Sequence, residues 1–373
     1  MATSTVDGLE TLCTELSAQI QTLRNVDKGD DLPARRTATR TARKLLDELI
    51  HPEEAAAEQL ITLSEWACIR MYMEWKFFDK IPLEGSISYQ KLANSIGAEE
   101  ALVSRMGQML VSTGKLLEPA TNHVAHSRLS PSYKTGDRNG YSFAMHHDDF
   151  QTVFAKLPGY FEKYGPRIPA GKTNIPLCYA SDADGLLTHW EVLAKPGKQH
   201  EEQFGFAMQA MPNYAWPYTG VYDFSWVEEY AKKNPERPLI VDVGGSYGHA
   251  LRANLVKYSG IPPGRCAVED RSAMIPSIRE DHAKDAVMKD ILADSLPDDE
   301  PRARILINEQ IVTDPPHRWV AAMDIIMLTW ASKERSEQQF KDLASRAGLE
   351  VVKVHKAEGA TMGVVECKKV SSG

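Results

Sequence analysis

No run of 18 apolar residues occurs in the 373-residue chain, and its opening, MATSTVDGLETL, lacks the charged-then-apolar order of a secretory leader. A spanning helix and export are therefore not expected. Cysteine is scarce too. Cys13, Cys68, Cys178, Cys266 and Cys367 stand far apart, odd in number and without a CxxC pair, which excludes a disulfide framework and indicates no metal site. Positive charge is in deficit: 43 Lys and Arg against 51 Asp and Glu leave a net charge of −8. That argues against a general nucleic-acid binder, because phosphate contacts need clustered positive charge. What remains is a cytosolic globular protein, long enough for two domains, that neither enters a membrane nor binds nucleic acid.

What is present falls into three stretches. In residues 6–25, Leu9, Leu12, Cys13, Leu16 and Ile20 recur at helical spacing and ask for a packing partner. A charged, Pro-containing linker and a basic helix follow, then a long apolar helical pattern over 56–84 that ends at Pro82 and Gly85. Two short helices flank Gly97, Gly114 stops the second, and a strand-like VAHSRLS comes after. This layout is that of a winged helix, but its second helix, EEALVSRMGQML, offers one arginine and two glutamates, a poor DNA reader. The first domain is set at 1–134. Residues 135–235 are rich in Met, Phe, Trp, Tyr and Pro, suited to line a small-molecule pocket as well as to fill a core. From 236 to 373 strands alternate with helices.

LIVDVGGSYGHA opens that last domain. A continuous apolar run fits a strand covered on both faces, and Gly244, Gly245 and Gly248 let the backbone turn sharply and approach a ligand closely. The following helix N-terminus offers unpaired N–H groups. Asp242 decides between ligands: an acid here repels a pyrophosphate and attracts the ammonium and sulfonium end of S-adenosylmethionine. The second strand, CAVEDR, ends in Glu269 and Asp270, where a carboxylate can accept both ribose hydroxyls.

FFDKIPLEGSISYQKLANSIGAEEALVSRM, VDVGGSYGH, ARILINEQIV and MDIIMLTWASKERSEQQFKDLASRAGL together resemble the plant and fungal small-molecule O-methyltransferases. The resemblance covers nearly the whole chain. It implies an α/β class I S-adenosylmethionine-dependent fold with a Rossmann-like sheet, joined to an N-terminal, mostly α-helical winged-helix domain that dimerises through interlocking helices. By the same resemblance Gly244, Gly245 and Asp270 hold S-adenosylmethionine or S-adenosylhomocysteine, and Phe204, Met208, Met323 and Met327 surround the acceptor. In the family a histidine after the fourth strand takes the proton of the acceptor hydroxyl, and two glutamates hold that histidine. Glu309 and Glu334 match the glutamates. A surface carboxylate and an ion pair with Arg335 are the plainer account of the two.

The histidine region departs from the pattern. Only 34 residues separate Asp270 from Ile305, whereas two further parallel strands with three crossovers need about 45. Counting back from the helix before the fifth strand puts the shortfall between Asp270 and about Asp285, whether by omission, by genuine loss or by rebuilding. SIREDH then stands at the catalytic loop, with Asp281 opposite the family histidine and His282 one place beyond. His282 is the expected base. Arg279 in the same cluster favours an alternative, a non-methylating relative that closes rings or dehydrates polyketide-like substrates. Arg279 would polarise a carbonyl, with donors from His146 or His147 and from Thr219. A non-catalytic partner subunit is a third reading.

Overall fold

The structure is a computed structural model that describes residues 6–26, 32–194, 207–208, 219–270, 272, 275–284, 287, 304–356 and 360–370. It divides into two compact units, Met1–Gly140 and Tyr141–Gly373. Among the described residues no helix is long and apolar enough to cross a membrane.

In the first unit, α1 (Val6–Asn25) packs along α2 (Leu32–Leu49), yet buries no residue fully. The spacing of Leu9, Leu12 and Leu16 is fulfilled only in part, because this pair of helices offers too little surface to cover the stripe. α3 (Pro52–Glu74) starts on a capping box between His51 and Glu54 with Pro52 in its first turn. It ends earlier than the apolar pattern predicts. Lys76 takes a left-handed conformation (φ 54°), so α4 (Phe77–Lys80) leaves in a new direction and drives Phe77 and Phe78 fully into the core. Burying such a ring contributes roughly 1.5–3 kcal/mol, which offsets the cost of the turn. β1 (Ile87–Ser88), α5 (Tyr89–Asn94), α6 (Glu100–Ser112), β2 (Leu116–Ala120) and β3 (His123–His126) complete the unit, with strand order β1-β3-β2, all antiparallel. Tyr72 donates to the Val103 carbonyl at 2.7 Å and locks α3 on α6, at the point where Gly107 leaves room for the Tyr72 and Tyr89 rings.

α7 (Arg138–Met145) runs across the boundary between the units, and the second unit continues with a π-helical turn (His146–Phe150) and α8 (Gln151–Tyr164), followed by α9 (Pro176–Ala180), α10 (His189–Leu193) and α11 (Ser225–Lys233). β4 (Ile240–Val243), α12 (His249–Lys257) and β5 (Cys266–Glu269) form a βαβ unit, with Asp242 opposite Val268 in a parallel pair. Val227, Leu251, Leu255, Ile261, Cys266 and Val268 form the core beneath it. α13 (Ile275–His282) follows directly. The remainder is β6 (Ile305–Val312), α14 (Arg318–Thr329), β7 (Arg335–Ser336), α15 (Glu337–Arg346), β8 (Leu349–Lys356) and β9 (Met362–Lys369), in a sheet of order β7-β6-β9-β8 with β9 antiparallel to both neighbours.

Two expectations change here. The stretch SIREDH is helical rather than the loop after a fourth strand: Ile275, Ile278 and His282 face inward while Arg279, Glu280 and Asp281 are exposed, the period of an amphipathic helix. It is the helix that follows β5. Among the described residues no strand lies between β5 and β6, and the strands form two separate sheets, β4-β5 and β7-β6-β9-β8.

Candidate active site

The turn after β4 is held from below. Gly244 (φ 71°), Ser246 (φ 51°) and Gly248 (φ 71°) all take left-handed conformations. The Gly244 N–H donates to the Glu269 carbonyl at 2.8 Å and the Ser246 N–H to Asp270 Oδ2 at 2.9 Å, so both strand ends shape the loop. Gly245 is required for a separate reason: a Cβ there falls 2.6 Å from Asp242 Cγ. Asp242 lies under the turn, its Oδ2 buried with no hydrogen-bond partner. Burial is the main reason its carboxyl is pushed up to about 6, with Asp270 adding to the rise and the Leu251 N–H opposing it. An orphaned buried carboxylate oxygen beneath a glycine turn is a seat for a cation.

His282 serves this turn. It is 6% exposed, and its Nε2 meets the Tyr247 carbonyl at 3.1 Å. The ring braces the loop from the end of α13, a helix rather than the catalytic loop expected there. Arg279 lies on the exposed side of the same helix.

A second group of residues gathers around α14. Met145, Phe150, Ala207, Met323 and Ile326 form a buried cluster, with Met208, Trp319, Met327 and Trp330 packed on it. The expected acceptor residues Met208, Met323 and Met327 thus come together; Phe204 lies outside the described residues. Thr219 is half-buried in a bend and contributes no side chain to the cluster. Of the histidine pair, His147 is tied to Asp148 (Nδ1 to Oδ1, 2.8 Å), whereas His146 lies against Phe150 with ring centroids 5.9 Å apart. Burial holds His146 below its ordinary pKa, partly offset by its hydrogen bond to the Ser142 carbonyl. Helical turns of the π type recur at functional sites, and this one sets His146 next to the cluster.

The two glutamates meet where β6 and β7 pair. Ile311 lies opposite Arg335, so Glu309, two residues before, and Glu334, one residue before, approach each other. Glu334 is pushed up to about 7, first by burial and then by the charges of Glu309 and Asp324, against the opposing pull of Arg335. Glu309 is reached by solvent along its side chain, yet desolvation of its carboxyl also raises it, with Arg335 opposing. A carboxyl balanced near neutrality among other charged groups can release and accept a proton at working pH.

Comparison with known proteins follows this geometry. No protein-family model matches the chain. It is 39% identical over 403 aligned positions to Methyltransferase cfoD of Aspergillus candidus, covering 97% of this chain and 98% of that protein. It is 30% identical to Methyltransferase pynC of Aspergillus niger, over 85% of this chain and 98% of that protein. The chain belongs to the fungal S-adenosylmethionine-dependent methyltransferases. Its fold is that of OxaC in complex with S-adenosylhomocysteine and oxaline (TM-score 0.79, 20% identity, 97% of this chain and 99% of that one). It is equally that of a structure described as a pericyclic reaction enzyme (TM-score 0.81, 17% identity, 97% and 100%). The cfoD alignment is also longer than this methyltransferase, 403 positions against 373 residues, so at least 30 of them face gaps in this chain.

Sequence reasoning did not single out several residues that gather here. Met145, Phe150, Trp319 and Trp330 complete the apolar cluster, and the His189 ring stacks on Trp330 at 5.8 Å. The aromatic richness of the middle region was the available signal, but it did not say which rings converge. Asp324, on α14 between Met323 and Met327, gave no signal, since its contact is with a main-chain N–H.

Proposed function

We propose that this protein transfers the methyl group of S-adenosylmethionine to the hydroxyl of a phenolic or enolic, polyketide-like small molecule in fungal secondary metabolism. The observation that carries the reading is the glycine turn over the unpartnered Asp242 oxygen. That chemistry fits a ligand with a cationic end, and residues 236–373 are read as its binding domain. Gly244, Gly245 and Gly248 allow the ligand to approach the backbone. Asp242 faces its positive end, and Asp270, just after β5, takes the ribose hydroxyls. When bound, the cofactor supplies an electrophilic methyl group. The acceptor lies among Met145, Met208, Phe150, Met323, Met327 and Trp330, which exclude water, and His146 donates or accepts at its rim. Glu334, paired with Glu309, receives the hydroxyl proton and so converts a weak nucleophile into a strong one.

Glu334→Gln keeps the shape and removes the proton acceptor. Turnover, followed as S-adenosylhomocysteine formed with a panel of hydroxylated aromatic acceptors, is expected to fall on the order of 100-fold or more. In the wild type kcat should rise with pH through about 7, as Glu334 loses its proton, and that limb should vanish in the variant. An unchanged rate and pH profile would remove Glu334 from the reaction.

A second reading has a specific observation in its favour. The fold is also that of a structure described as a pericyclic reaction enzyme, which suits an enzyme that keeps the cofactor without consuming it. It would then close a ring or dehydrate its substrate, with His146, against Phe150 of the apolar cluster, as a donor. Product formed with no S-adenosylhomocysteine released, and lost in His146→Ala, separates this reading from methyl transfer.

The first unit is read as a cytosolic winged-helix dimerisation module. Val6, Leu46, Leu49, Leu60, Ile61 and Leu63 are exposed on α1, α2 and α3, more apolar surface than a solitary helical face leaves open. A second copy of the chain is the proposed cover. Light scattering is expected to give twice the 41.6 kDa of one chain, and Leu46→Asp with Leu49→Asp should return it to one chain. A wild-type monomer would end this proposal.

A further inference from the structure

The residue after Met323 faces a different task from its neighbours. Asp324 Oδ1 accepts the backbone N–H of Glu334 at 2.7 Å, ten residues further along the chain. Between them the chain leaves α14 through a tight turn. The Trp330 and Ser332 N–H groups both donate to the Met327 carbonyl (3.0 and 2.8 Å), and the Ala331 N–H to the Leu328 carbonyl (3.1 Å). Ala331 is left-handed, φ 55°, a conformation that costs an alanine roughly 1–2 kcal/mol. Such a turn persists only when its surroundings hold it. On its far side the hold is Asp324, and the segment released from the turn enters β7 directly, with Glu334 immediately before Arg335.

The choice of a carboxylate is informative. A neutral acceptor would anchor an N–H group as well, without setting a further negative charge beside Glu334 and Glu309. We infer that Asp324 is a positioning residue for Glu334, anchoring its main chain through Oδ1 while placing a second like charge against its carboxyl. This rests on the reading of Glu334 as proton acceptor. The charged groups facing Glu334 are Glu309 from β6, Asp324 from α14 and Arg335 from its own strand, the last with opposite sign. Taking away Asp324's charge shifts that balance towards Arg335 and makes Glu334 more acidic.

Two variants of the full chain separate anchor from charge. Asp324→Asn keeps an oxygen for the Glu334 N–H and loses only the charge; Asp324→Ala loses both. The carboxyl titration of Glu334 is read by carbon NMR on protein labelled at glutamate, its signal identified by its absence in Glu334→Gln, alongside the pH profile of turnover. In Asp324→Asn the titration midpoint and the acid limb of kcat are expected to move down together by about half a unit or more. In Asp324→Ala kcat should drop on the order of 10–100-fold with the KM for S-adenosylmethionine unchanged. Coincident midpoints in Asp324→Asn and wild type would overturn the inference, as would full kcat in Asp324→Ala. Should Asp324→Ala fail to fold, Asp324→Asn carries the test. Should the wild type transfer no methyl group, a shifted Glu334 titration in Asp324→Asn still upholds the role of Asp324, while the proposed activity falls.

Discussion

Calorimetry of Gly245→Ala is expected to show S-adenosylhomocysteine binding weakened by about 100-fold or more, while Gly244→Ala, one residue earlier, keeps it within about tenfold. The two glycines differ in what a methyl group would meet. At Gly245 the new Cβ stands 2.6 Å from Asp242 Cγ, 2.7 Å from its Oδ2 and 3.0 Å from its main-chain oxygen. Asp242 is enclosed beneath the turn and supported by the Leu251 N–H, so the loop, rather than the acid, has to move. Lifting the loop spoils the surface that the ligand approaches, and errors of this size in a preformed site are felt in full. At Gly244 the Cβ meets open space, and the difficulty is its φ of 71°. That strain of roughly 1–2 kcal/mol is a cost to folding that shows as a lower Tm. Equal affinities for the two variants would mean that the ligand does not lie over Gly245.

Asp242→Asn should give the opposite pairing of effects, a tougher protein that no longer binds. The carboxyl rises from an ordinary 3.8 to about 6, so the fold disfavours its charged form. The stability cost is absent below about pH 4, grows as pH rises through the window from 4 to 6, and levels off above it at roughly 3 kcal/mol. Asparagine removes that cost, so the variant should melt above the wild type at pH 8 and without advantage at pH 3.5. Binding follows the charge instead. Losing one partner of a buried charge pair weakens association by about 2–5 kcal/mol, roughly 30- to 4000-fold, and wild-type affinity for S-adenosylmethionine should decline as pH falls below about 6. An Asp242→Asn protein that binds at wild-type strength would show that the cationic end lies elsewhere.

The legible parts of this molecule are those where local pattern and fold agree. LIVDV followed by three glycines needs only the period of its apolar residues and the special backbone of glycine, and both lie within a dozen positions. The first helix and the two short helices around Gly97 were readable for the same reason. Residues 275–282 differ between sequence and structure because a count back from the fifth strand carries no periodicity, whereas the inward spacing of Ile275, Ile278 and His282 is that of a helix. The break at Lys76 carries no Gly or Pro and is dictated by the burial of Phe77 and Phe78, a tertiary demand. His146 and His147 look alike on paper. Only the π-helical turn and the bond to Asp148 tell them apart. Asp324 touches a main-chain N–H, which has no sequence signature at all.

Ala331 also bears on how this enzyme would lose its activity in a warm cell. A bend held in an unfavourable left-handed shape is expected to open before the sheet behind it does. If Glu334 is the proton acceptor as proposed, activity should then be lost at a lower temperature than the unfolding midpoint.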